Sequence, residues 1–210
     1  MSDVSKQLIA KLAEELDLAT AQHVVSRLAE ATGKSNQADG VLLLLDELME
    51  ISPKVARVAI ESFPNMQQRG LLSDAVAWLD LGIVLAESSG AIGLKYFKES
   101  PLVLGMIEPL SLRSVVLNRA LELAERDANV ALEFLRISPD MVRVIPSDQL
   151  EAWLEIGLEL TQVDFVVALE YIRQLPSVAR VLPIQDARAW ATFGLKLISR
   201  NSLEIGRAHV

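Results

Sequence analysis

Most enzymatic centres are built from histidine, cysteine and paired acids, and this chain offers little of that chemistry. Cysteine is absent, which removes thiolate nucleophiles, cysteine-held zinc and disulfides. A Ser/His/Asp triad or a histidine metal site would have to use His23, since the other histidine, His209, lies in the terminal heptapeptide discussed below. Nothing near His23 recommends either role. The phosphate loop G-x-x-x-x-G-K-[ST], the zinc signature H-E-x-x-H and an EF-hand loop do not occur. Glu122 and Glu159 recur singly at helix positions where solvation is the ordinary explanation, so an all-helical carboxylate enzyme is the weakest reading. No catalytic, metal-ligating or cofactor-binding residue is assigned, and the chain reads as non-enzymatic.

The polar pattern that does repeat is basic. Lys98, Arg136 and Arg173 each follow an aromatic position by two residues, and Arg57, Arg143 and Arg180 each follow a proline by four. If the segments stack, each column becomes a stripe able to receive an acidic protein segment, with arginine holding carboxylates through its planar fork. These six are the candidate partner-binding residues. The alternative is local pairing with Glu133, Glu170 and Asp140 together with simple solvation.

The elements that would position these columns follow from an internal period. Trp153 and Trp190 are 37 residues apart, Trp78 lies 75 before Trp153, and Val116 occupies the intermediate position. Gly82, Ala120, Gly157 and Gly194 keep this step to within one residue, as do Tyr96, Phe134 and Tyr171, then Pro101, Pro139 and Pro176, then Pro109, Pro146 and Pro183. Recurrence at this period signals a repeat array, in which each unit buries its apolar face only against its neighbours. In the first helix of a unit, Trp153, Ile156, Gly157 and Leu160 fall on one helical face, repeated by Trp78, Leu81, Gly82, Leu85 and by Trp190, Phe193, Gly194, Leu197. That face is expected to be buried, with the glycine as a packing notch and with Ser73-Asp74 and Ser147-Asp148 as N-caps. A second helix carries Gly93, Ala131 or Ala168 three residues before its aromatic. It is expected to end at Ser100-Pro101, Ser138-Pro139 or Leu175-Pro176, with a short apolar turn such as Met141–Ile145 before the next unit.

The fold expectation is therefore all-α: a right-handed α-solenoid-like array of about 37-residue helical repeats. Residues 71–203 form the regular repeats. Residues 1–70 read as a diverged N-terminal cap with helical spacing over Leu8–Leu18, Gln22–Ala31 and Val41–Met49 and a polar turn at Gly33–Asn36. There Ser52-Pro53 resembles the Ser-Pro step, with an insertion near Pro64–Gly70.

Composition narrows the function classes. With 51% apolar residues among 210 the chain can build a core, and a net charge of −8 argues against a nucleic-acid binder, which needs a basic excess. Mean hydropathy is +0.31, yet the apolar run from Val41 stops at Asp46, far short of the ~20 residues that span a bilayer. No secretory signal opens the chain. A cytoplasmic protein without a membrane anchor is expected.

Two resemblances sharpen these expectations. The succession W-x-x-x-G, A-L-x-Y/F, S-P and I-P over about residues 71–203 resembles the helical repeats that precede a von Willebrand factor A domain in bacterial proteins of the nitric-oxide-reductase-activation and Rubisco-activation type. That family implies a scaffold region of an adaptor for a MoxR-type AAA+ ATPase that remodels a client enzyme. Its A-type domain holds metal through D-x-S-x-S, which does not occur here, so neither metal nor metal-dependent docking carries over. The heptapeptide Glu204–Val210 resembles one reading frame of a sequencing adapter. Residues 204–210 are accordingly expected to be a non-native tail packing on nothing essential, the natural chain running on past about Leu203. A freestanding helical-repeat adaptor is the alternative.

Overall fold

The structure, a computed structural model, describes residues 3–15, 19–23, 25–26 and 35–207. Within these spans it describes side chains as far as Lys196, apart from those at 4, 15, 35–37 and 195. The fold is all-helical, with no strand among the described residues. The helices are α1 (Asp3–Glu15), α2 (Ser35–Ile51), α3 (Pro53–Gln68), α4 (Ala75–Ser88), α5 (Gly90–Gly105), α6 (Ser111–Ala124), α7 (Ala128–Val144), α8 (Ser147–Val163), α9 (Phe165–Val178) and α10 (Ile184–Arg207). Ser35 and Asn36, expected in a turn, open α2. Much of Gln22–Ala31, and the tail expectation as it concerns side chains of Glu204–Val210, lie outside the described residues.

The helices pack in two rows. In one, α2 contacts α4, α4 contacts α6, α6 contacts α8 and α8 contacts α10; in the other, α3, α5, α7 and α9 follow one another. Across the rows α2 pairs with α3, α4 with α5, α6 with α7 and α8 with α9, while α1 lies on α2. The inward face of the first row is the one that the helical spacing marked: Trp78, Leu81, Leu85, Val116, Ala120, Trp153, Ile156 and Leu160 are buried. Tyr96, Phe134 and Tyr171 meet it from the second row, also buried.

The glycine notches have a steric cause at two sites. A Cβ on Gly82 would stand 2.0 Å from the Phe97 ring, and one on Gly157 would stand 2.9 Å from Ile172 Cδ1. Omitting that carbon lets the paired helix close in, and hydroxyls then tie the rows. Tyr96 donates to the Trp78 carbonyl at 2.9 Å, and Tyr171 makes the same 2.9 Å bond to the Trp153 carbonyl, each across 18 residues of sequence. Burial raises both phenols well above the usual tyrosine range and keeps them as donors. Around Trp78, edge-to-face contacts with Phe63 (5.5 Å) and Phe97 (4.8 Å) add the aromatic geometry that favours ring edges over faces.

The prolines do not end the second-row helices. Pro101, Pro139 and Pro176 lie inside α5, α7 and α9, and Met141–Val144 continues α7 instead of forming a separate turn. A proline inside a helix orphans the carbonyl four residues earlier, and at Pro101 and Pro139 a serine hydroxyl compensates. Ser138 Oγ donates to the Leu135 carbonyl at 2.7 Å, and Ser62 Oγ reaches the Phe97 carbonyl at 2.8 Å, sharing its one proton with Val58. Ser100 is buried as the acceptor for Trp78 Nε1 at 2.7 Å. Ser52-Pro53 starts α3, with Ser52 as N-cap, and it is Pro64, 37 residues before Pro101, that sits inside α3. The Ser-Pro likeness at Pro53 was therefore a coincidence of dipeptide.

The expected N-caps are corrected too. Neither Asp74 nor the Ser147 step makes a side-chain cap; besides Ser52, Asp127 on α7 and Asp164 on α9 do so. Each accepts from two backbone amides, at 2.8 and 3.0 Å for Asp127 and at 2.8 and 3.2 Å for Asp164. Just past helix α3, Gly70 turns the chain with a φ of 66° that suits a residue without Cβ, while Leu71 N–H closes on the Met66 carbonyl at 2.9 Å.

Candidate partner-binding surface

The first basic column comes together on neighbouring second-row helices, where it meets acids of this chain. Arg136 on α7 grips Glu99 on α5 with its fork, Nε to Oε2 at 2.9 Å and Nη2 to the two oxygens at 2.8 and 3.1 Å. Glu133 lies 3.6 Å from Arg136 and accepts from Arg173 of α9 at 3.1 Å. The result is an alternating ladder, Glu99–Arg136–Glu133–Arg173, running across three helices. Lys98 is exposed beside it. Glu99 was missed in the sequence although it directly follows Lys98, the counterpart of Arg136 in the column.

The second column loses Arg57. Arg57 is near the start of α3 and pairs with Glu61 at 2.9 Å, whereas Arg143 is in the last turn of α7 and pairs with Asp140 at 3.3 Å. Arg180 is exposed just after α9. Arg57 entered this column through Pro53, and once Pro53 is seen to open a helix the equivalence is lost. Glu170, expected as a local acid for these arginines, accepts instead from Gln174 at 2.9 Å.

The stronger surface feature is apolar and lies at the α9–α10 end of the rows. Trp190, expected to be buried, is 37% exposed, and Phe193 is 59% exposed. A Cβ on Gly194 would meet nothing within 4 Å, in contrast to Gly82 and Gly157. Together with Val166, Tyr171 and Glu170 these residues line a groove of about 470 Å³. The Trp190 ring leans on Tyr171 at 5.7 Å, so one wall is packed and the other open. Sequence spacing groups Trp190 and Gly194 with Trp153 and Gly157, but burial depends on a covering helix, and none of the described residues supplies it.

His23 is exposed, and Glu122 and Glu159 pair with Arg119 and Arg188, both at 2.6 Å. Among the described residues no cluster of three or more His, Asp or Glu could hold a metal ion, and no helix is long and apolar enough to cross a membrane. Comparison with models of protein families, with curated proteins and with solved structures finds no match.

Proposed function

We propose that this chain is a non-enzymatic helical-repeat scaffold for protein–protein interaction, a right-handed α-solenoid-like array. The observation that carries this reading is the return of the same inter-row tie one double period along the chain, Tyr96 to Trp78 and Tyr171 to Trp153. Equivalent residues making equivalent bonds are what a stack of repeated units requires. The glycine notches and the two rows of helices support it further. In this reading the ladder through Arg136 and Arg173 ties adjacent units.

The resemblance of residues 71–203 favours a narrower assignment: the N-terminal part of an adaptor carrying a von Willebrand factor A domain and working in the cytoplasm with a MoxR-type AAA+ ATPase or its client enzyme. Size-exclusion chromatography of the chain with such an ATPase in its nucleotide-bound state tests this, co-elution being the expected outcome and independent elution the contradicting one. The genomic reading frame beyond codon 203 separates the two kinds of adaptor. An open frame encoding D-x-S-x-S supports the ATPase partner, and a prompt stop favours a freestanding adaptor.

A further inference from the structure

We infer that the groove formed by Trp190, Phe193 and Gly194 with Tyr171 is the seat of this chain's own next helix. That second-row helix opens at Asn201, folds back against α10 and carries a small residue at position 205, an aromatic at 208, an apolar residue at 209 and a basic one at 210. The inference rests on the repeat reading and adds what closes the open end of the rows, and in which register.

The filled seats define the occupant. Against α4, Tyr96 bonds the Trp78 carbonyl and the following residue, Phe97, fills the space left by Gly82. Against α8, Tyr171 bonds the Trp153 carbonyl and the following residue, Ile172, fills the space left by Gly157. On α10 the recipient face recurs with Trp190 and Gly194, but a Cβ on Gly194 meets nothing and the indole is partly exposed. The polar edge recurs as well. Glu133 of α7 receives Arg173 of α9, and Glu170, one period after Glu133, borders the groove. Position 210 stands one period after Arg173, so a basic residue there meets Glu170 in the same way.

Three observations make this chain the source. In each filled seat the occupant is the helix that directly follows the recipient, joined to it by Ser89 alone, by Glu125 to Asp127, or by Asp164 alone. So short a tether holds the occupant at a high effective concentration, which a helix from another molecule would have to exceed. The opening of such a helix is also present in the sequence. Asp127 and Asp164 cap α7 and α9, and Asn201 stands one further period along, a residue type favoured at that position. Finally, α10 overruns its unit: its counterpart α8 ends at Val163, one period before Arg200, whereas α10 continues to Arg207. The four specified positions hold Ile205, Ala208, His209 and Val210, so the terminal heptapeptide lacks the small and aromatic residues that the seat requires.

The natural reading frame beyond codon 203 gives the first test, and is expected to encode small, aromatic, apolar and basic residues at 205, 208, 209 and 210. The second uses the full chain with residues 204–210 replaced by a graft of residues 167–179. These continue Asn201-Ser202-Leu203 as they continue Asp164-Phe165-Val166, and they bring Ala168, Tyr171, Ile172 and Arg173 to the four positions. Because Trp78 and Trp153 are buried, acrylamide quenching reports on Trp190. The grafted chain should remain a monomer by light scattering, lose at least half of the quenchable emission and unfold at a higher urea midpoint. Gly194→Leu should reverse both changes in the grafted chain while leaving the parent's midpoint unchanged, and a graft carrying Ile172→Asp should behave as the parent. A stop directly after codon 203, or an open frame without the pattern, would overturn the inference. So would unaltered quenching, indifference of the grafted chain to Gly194→Leu, or a dimer in which a second copy fills the seat. An open frame with the pattern but without D-x-S-x-S upholds the seat and defeats the ATPase assignment, so the two failures are distinguishable.

Discussion

The four glycine or alanine positions of one column behave differently because of what stands opposite each. At Gly82 a methyl group would have to displace the Phe97 ring, and overpacking of this kind typically costs ~1–3 kcal/mol. At Gly194 the same methyl meets no neighbour, and alanine gains up to ~1 kcal/mol in helix propensity over glycine. Gly82→Ala is therefore expected to lower the urea midpoint and Gly194→Ala to hold or raise it. A second residue-level outcome concerns Asp80 on α4, whose carboxyl is pushed above the usual aspartate range by desolvation. A raised carboxyl favours the protonated folded state, so its contribution is complete below the unfolded-state pKa and is lost as pH rises through the folded value. At neutral pH Asp80 is a cost. Asp80→Asn should melt higher than the parent at pH 7, with the difference shrinking toward zero below about pH 4; a variant less stable at pH 7 would contradict the desolvation argument.

Helices were legible where their buried face has one period and illegible where a single residue type was made to carry the assignment. The Trp153, Ile156, Gly157, Leu160 face is buried as its spacing implies. Reading proline as a helix terminator failed at Pro101, Pro139 and Pro176, because at the first two a serine hydroxyl meets the orphaned carbonyl and the surrounding packing holds the helix through the break. The caps follow a column of their own: Asp127 and Asp164, 37 residues apart, open second-row helices, whereas Ser73-Asp74 and Ser147-Asp148 stand before first-row helices and make no side-chain cap. Of the candidate surface, the members of the first basic column were visible, whereas their acidic partners and the open groove depend on which helix lies alongside. Burial also ranks the tryptophans. Trp153→Ala should cost about 3–5 kcal/mol in chemical denaturation, as large core truncations do. Trp190→Ala should cost clearly less, because its ring already meets solvent; equal losses would show that the groove is closed in solution.

At the scale of the whole molecule, an array and a closed helical bundle make opposite demands on chain length. In an array every unit interface is local, so an additional unit adds one more interface of the same kind and stability grows. A closed bundle has no place for a further helix pair. Residues 110–146 constitute one full period, beginning after Pro109 and ending on Pro146, its counterpart in the next unit. The most direct test of the repeat architecture is to insert a second copy of this segment after Pro146 and measure urea unfolding by circular dichroism. The array account predicts a monomer with unchanged helicity per residue, a midpoint no lower than the parent's and a steeper denaturant dependence from the larger buried surface. An insertion that unfolds, aggregates or lowers the midpoint substantially would contradict it.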